Sequence, residues 1–348
     1  MNSDTLSDVL QGVRLTGAIF FELRARAPWV ETSAEGSTVA PQLLPGVQHS
    51  ISYHVIAEGR CWVTAKDIAP IQLEAGDIII FPHGDAHTLS SAPGLTAKAN
   101  PAIYKEAAAS SSLPVSYAFG GSGESTLIVC GILGCDVRPF NPLIATLPRV
   151  LHIRDRAGST RGWLNQFVHV AVAESRDRRP GAQSILARLS ELMFVEAVRR
   201  HLETLPVEET GWLAGVRDPA VGRALAAIHR QPAHGWSLED LAREAGASRS
   251  ALADRFALLV GRPPMQYLMQ WRMQLAAGLL ARGAKVTHVA FDVGYESEAA
   301  FSRAFKKLTG HSPGTWRDRN DRSTLRSRPR GDEGVRVSAR WTKVARPA

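Results

Sequence analysis

The chain has 348 residues, 45% of them apolar, with 41 Lys+Arg against 33 Asp+Glu and three cysteines. One hydrophobic core rarely serves more than about 250–300 residues, so two domains are expected. No run of about 18 apolar residues is available to cross a membrane, and three cysteines cannot build a disulfide scaffold.

With Asp4 and Asp8 and no basic segment ahead of an apolar run, the N-terminus does not read as a signal peptide. A cytoplasmic protein with no membrane partner is expected. The charge is unevenly spread: residues 1–217 hold 19 Lys+Arg against 21 Asp+Glu, 218–318 hold 13 against 9, and 319–348 hold 9 against 3. A basic C-terminal third fits a polyanion, because Lys and Arg contacts to phosphates release counterions.

In chain order, Leu6, Val9, Leu10 and Val13 have helical spacing and predict a short helix. Between residues 18 and 151 the pattern is β, with short apolar runs at 19–23, 51–56, 61–64, 78–81 and 127–132 separated by Gly, Pro and Asp. Frequent turns favour a barrel or a sandwich. Segment 96–125, rich in Ala, Ser and Gly, is too long for an ordinary connection and reads as disordered or as a mobile flap over a pocket.

Helical pattern returns at 160–173 and 182–202. In the second stretch Ile185, Leu189, Leu192, Val195 and Val198 form a stripe, either a dimer surface or a face packed on its own domain. Residues 206–217 read as a linker. Asp218-Pro219 is an N-cap followed by proline at the first helical position and opens a bracing helix.

A pattern then occurs twice. Leu241-Ala242-Arg243-Glu244-Ala245-Gly246 runs on to Phe256, Gly261 and Pro264; Val289-Ala290-Phe291-Asp292-Val293-Gly294 runs on to Phe305, Gly310 and Pro313. Each copy is an apolar helix, a glycine able to take positive φ, and a second apolar helix, which is a helix-turn-helix. Ser237 to Asp240 forms a capping-box-like start, and Ser248 and Ser297 cap the second helices.

Two such motifs joined by a long helix (264–281) and closed by Gly310-His311-Ser312-Pro313 resemble the DNA-binding domain of AraC/XylS-type regulators over roughly 218–318. The resemblance implies that both second helices enter the major groove of double-stranded DNA. The outward positions are Arg249, Ser250, Ala253 and Asp254 in motif one, and Ser297, Glu298, Ala299, Ser302 and Arg303 in motif two. Arg303 suits guanine, whose O6 and N7 accept a bidentate fork; Asp254 or Glu298 suit cytosine N4 or a neighbouring Arg. Lys306 and Lys307 lie at the far end and suit phosphates.

Residues 76–87, ending Pro82-His83-Gly84-Asp85-Ala86-His87, fit the second cupin signature, and His54 to Gly59 fit part of the first. They resemble the cupin-type sensor of AraC-like regulators. Metal-binding cupins carry His-x-His and Glu in the first signature; Ser52 stands where the first histidine would be, leaving His54, Glu58 and His87 as a three-ligand candidate. The other reading is that these side chains brace the barrel, and no cofactor is assigned. Residues 128–135, with Asn141-Pro142-Leu143, resemble a subgroup that includes a reactive-chlorine-responsive activator, with Cys130 at the matching position. Cys130 and Cys135 are candidate sensor residues with His54 and His87, or buried inert thiols. The two cysteines could meet only if the strand turned at Gly131 or Gly134, since five extended residues span about 17 Å.

The expected architecture is therefore an α+β multidomain chain: an N-terminal cupin-like β-barrel with a helical dimerisation segment (1–205), a linker (206–217), a C-terminal all-α double helix-turn-helix domain (218–318) and a basic disordered tail (319–348). The function it implies is a homodimeric regulator, more readily an activator working with RNA polymerase, that responds to a small molecule or an oxidant. The alternatives are a metal-dependent cupin enzyme fused to a DNA-binding module and a constitutive architectural binder.

Overall fold

The computed structural model describes residues 4–12, 15–44, 47–110, 114–154, 163–177, 179–206 and 208–318. The basic tail, the start of the helix expected at 160 and Val13 lie outside the described residues. Elements are labelled in chain order. The described residues fall into two compact units, one within 16–135 and 148–199, the other within 4–15, 136–147 and 200–318.

The first unit carries β1 (Thr16–Arg26), β2 (Val30–Ser33), α2 (Gly36–Leu43), β3 (His49–Glu58), β4 (Arg60–Ala65), β5 (Ile68–Glu74), β6 (Ile78–Phe81) and β7 (His87–Ser90). It continues with α3 (Ala102–Ala109), β8 (Val115–Gly120), β9 (Ser125–Cys135), β10 (Leu151–Ile153), α4 (Trp163–Asp177) and α5 (Ala182–Thr204). The division between the units falls within α5.

The strands form two sheets, ordered β10-β6-β3-β9-β1-β8 and β2-β7-β4-β5. The expected barrel thus takes the form of two separate sheets. Successive side chains alternate faces, so in β3 Ser52 and His54 line a pocket while Tyr53 points the other way. Tyr53 donates its hydroxyl proton to Ser190 Oγ on α5 at 2.5 Å, because Ser190 spends its own proton on the Leu186 carbonyl. Gly131 faces Tyr53 across the β3–β9 ladder; a Cβ there would sit 2.1 Å from the phenol oxygen, so only glycine lets the ring lie flat on the sheet.

The described parts of segment 96–125, up to 110 and from 114, carry α3 and β8. Ile103, Tyr104 and Ala107 of α3 are buried in the same core as Phe21, Ile56 and Phe81, and β8 adds to β1 in parallel. Their apolar residues are few and spaced along an Ala-rich stretch, so the sequence alone hid them. The stripe on α5 divides: Val198 is buried with Leu186, Met193 and Phe194, whereas Ile185 and Leu192 are 42% and 55% exposed.

The second unit carries α1 (Thr5–Gly12), α6 (Trp212–Arg217), α7 (Pro219–Arg230), α8 (Leu238–Ala245), α9 (Arg249–Val260), α10 (Pro264–Ala281), α11 (Val286–Asp292) and α12 (Glu298–Thr309). Two expectations change here. The segment read as a linker contains α6, whose Trp212 and Leu213 are buried. The stretch 1–205 is not one compact body, since α1 packs on α7 and α10, and 136–147 packs on α10. Phe140 stacks edge-on against Tyr267 and donates its backbone N–H to Gln274 at 2.9 Å. The reason is an aromatic core of Trp212, Tyr267 and Trp271 that the helix-turn-helix helices alone leave uncovered; no local pattern announces such a long-range contact. Among the described residues no helix is long and apolar enough to cross a membrane.

Candidate DNA-reading surface and sensor pocket

Capping sets the helix-turn-helix geometry. Ser237 and Asp240 form a reciprocal capping box at α8, which ends at Gly246 with φ 62°. Ser248 Oγ and Ser297 Oγ each accept a backbone N–H at 3.2 Å and open α9 and α12. Leu252 and Phe256 of α9 and Phe301 and Phe305 of α12 are buried, which rotates the opposite faces outward.

On those faces Arg249, Ser250, Asp254, Ser297, Glu298, Ala299, Arg303, Lys306 and Lys307 are exposed, and Ala253 and Ser302 are half-buried. They are not equally available. Glu298 accepts a short hydrogen bond from Thr287 Oγ1 that ties α12 to α11, and Ser297 is occupied as a cap. Arg303 has no side-chain partner among the described residues.

Arg272, which the sequence reading passed over, joins the two motifs. From α10 its guanidinium donates to the carbonyls of Pro232 (2.7 Å), His234 (2.8 Å) and Gly294 (3.3 Å). Gly294, at φ 84°, lies so close to that loop that a Cβ would approach the Ala233 carbonyl oxygen to 2.4 Å. Nearby, Trp212 Nε1–H donates to Tyr267 Oη at 2.7 Å, and Tyr267 Oη shares a hydrogen bond with His229 Nε2 at 2.8 Å. Burial lowers the pKa of His229 to about 3 and so keeps its ring neutral.

The pocket in the first unit has a cavity volume of about 40 Å³ and is lined by residues from β1, β2, α2, β3, α3 and β9. One wall is a hydrogen-bonded chain: Cys130 Sγ to His54 Nδ1 at 2.8 Å, His54 Nε2 to His87 Nε2 at 2.6 Å, and His87 Nδ1 to the Asp85 carbonyl at 2.8 Å. A carbonyl only accepts, so His87 Nδ1 carries a proton and, in the neutral ring, Nε2 accepts. His54 must then donate from Nε2, and Cys130 donates its thiol proton to His54 Nδ1. Every link is neutral. Burial moves each group in the matching direction: His54 well below its usual range, His87 to about 4, and Cys130 well above the usual thiol range.

Glu58 lies at the exposed end of β3, away from this chain, because it is four residues beyond His54 on a strand that has left the core. The three candidate ligands are not brought together, and among the described residues no cluster of three His, Cys, Asp or Glu side chains is arranged to hold a metal. Cys130 and Cys135 are both buried but sit on an unbroken strand, so they do not approach each other. Cys61, at the head of β4, is the cysteine that interacts electrostatically with Cys130, and burial pushes its own thiol up to about 12. Glu31 on β2 also lines the pocket and is 7% exposed.

Residues 4–203 match the family described as cupin, and residues 241–319 match the helix-turn-helix domain. The chain is 34% identical over 270 residues to a Streptomyces lividans protein named as an AraC-like transcription regulator, covering 77% of this chain and 86% of that one. A protein of the same description from Streptomyces antibioticus is 32% identical over 317 residues, 90% of this chain and 98% of its own. The RCS-specific HTH-type transcriptional activator RclR of Escherichia coli is 26% identical over 271 residues, 77% of this chain and 84% of its own. A cupin half and a paired helix-turn-helix half, matched together by these relatives, place the chain in the family of AraC-like transcription regulators, proteins that bind double-stranded DNA.

Proposed function

We propose that this regulator acts in the cytoplasm as a homodimer, reads DNA chiefly through Arg303 and the exposed face of α9, and activates RNA polymerase when a small molecule occupies the pocket of its first unit. The observation that carries the effector reading is the pocket itself, walled by a chain of neutral side chains that holds Cys130 as a thiol. A redox sensor needs a thiolate, and the surroundings of Cys130 oppose one. The neutral chain braces the pocket and leaves its polar and apolar lining to select a ligand.

Purified protein mixed with sheared genomic DNA, followed by sequencing of the bound fragments, yields its promoters. Transcription from a captured promoter is then measured with and without hypochlorite for the parent and Cys130→Ser. The pocket reading expects neither protein to respond to the oxidant. A response that Cys130→Ser abolishes replaces it with a thiol switch, and failure to enrich any promoter removes the regulatory reading altogether.

A further inference from the structure

Glu31 is an anomaly in its surroundings. With Ser33 two residues on, it lines a pocket whose wall is apolar at Phe21, Leu23, Val39, Ile103 and Ile132 and polar at Ser52, His54, Tyr104 and Cys130. Among the described residues it has no ion pair and no hydrogen bond to its side chain. Nothing in the fold uses it, since no strand pairing or cap depends on its carboxyl, and an apolar residue would pack there without the cost of burying an acid. Desolvation shows in its acidity, raised from 4.5 to about 7.

The rest of the lining narrows what would meet that carboxyl. No Lys or Arg lines the pocket, and the one basic group, His54, is held neutral by His87 and Cys130. A carboxylate or phosphate ligand would enter beside an acid with no cation to receive it. A hydrocarbon would leave Glu31 unpaired. A cation on an apolar body satisfies both, filling the apolar wall and supplying the missing counter-charge.

We propose that the pocket binds a small apolar amine whose ammonium group pairs with Glu31; this rests on the reading of the pocket as the effector site. Binding then carries a proton balance. The ammonium form pairs with the Glu31 carboxylate, so any molecule in which Glu31 is protonated releases one proton to solvent on binding. The titratable groups that face Glu31 are Tyr104 on α3, Cys130 on β9 and His54 on β3, and burial keeps all three neutral between pH 6 and 8. The pH dependence in that window therefore belongs to Glu31.

The test is calorimetric titration of the full chain with hexylamine, hexan-1-ol and hexanoate at pH 6 and pH 8, repeated on Glu31→Gln. Hexylamine is protonated at both values, so its affinity should rise about tenfold from pH 6 to pH 8 as Glu31 ionises. Glu31→Gln, which keeps the shape and removes the charge, should weaken hexylamine, erase its pH dependence and leave hexanol unchanged. Hexanol or hexanoate binding as tightly as hexylamine overturns the amine assignment while leaving an occupied pocket. An amine affinity indifferent to pH and to Glu31→Gln overturns it as well. No binding by any of the three overturns the amine assignment and the effector-pocket reading together.

Discussion

Replacing Gly294 by alanine separates the two helix-turn-helix turns, which look alike in sequence. Gly246 and Gly294 both have positive φ, 62° and 84°, where an L side chain costs about 1–2 kcal/mol. At Gly246 the added methyl meets no backbone, only the Arg223 guanidinium at 3.3 Å, the far end of a side chain that can give by a few tenths of an ångström, so Gly246→Ala should cost little beyond that strain. At Gly294 it meets backbone, 2.4 Å from the Ala233 oxygen and 2.8 Å from its Cα. The loop must retreat, and that loop supplies two of the three carbonyls that satisfy the half-buried Arg272 guanidinium. Loss of one charge-assisted hydrogen bond at about 1.5–3 kcal/mol brings the expected total for Gly294→Ala to roughly 3–5 kcal/mol. Against a typical domain stability of about 5–15 kcal/mol, that lowers the urea midpoint of the second unit severely. The assay is urea unfolding of the full chain followed by tryptophan fluorescence and circular dichroism, with Gly310→Ala, whose Cβ meets open space, as reference. Equal losses for Gly294→Ala and Gly246→Ala, within about 0.5 kcal/mol, would refute the argument from close approach and with it the role of Arg272 as the tie between motifs.

Arg303→Ala should cost about 1–3 kcal/mol and relax preference at one base pair, whereas Lys307→Ala should weaken all sequences alike and lower the salt slope by about one. Affinities for a panel of single-base operator variants at two salt concentrations decide it, and a uniform loss for Arg303→Ala would make it a phosphate clamp. If the proposed dimer forms through α5, Leu192→Asp should split it by placing a charge on the exposed stripe; unchanged sedimentation with an intact fold refutes that seam. His229 predicts an acid limb. Its folded pKa of about 3 lies below the unfolded 6.5, so its contribution is complete above pH 6.5 and falls as pH drops toward 3, by up to about 5 kcal/mol. His229→Phe should flatten that limb in urea midpoints measured between pH 7 and pH 4, and an unaltered slope would show that the proton is taken up elsewhere.

Local chemistry made much of the protein legible from its residues. N-cap serines, glycines at the turns and prolines after the caps act within a few residues, so α7 to α12 and both motifs follow from the chain itself. Strand alternation likewise exposed the β unit, and the cupin signature brought His54 and His87 forward together. Only the tertiary structure decided the rest. Glu31 matters because strands β1, β3 and β9 close an apolar pocket around it, and Cys130 is a thiol because two histidines and a carbonyl, far apart in sequence, orient its proton. The units also cut across the apparent domain boundary, with α1 and Phe140 covering the aromatic core beside α10. Periodicity reports which face of an element is buried; it carries no information on which distant segment does the burying, and pKa and ligand chemistry depend on that partner.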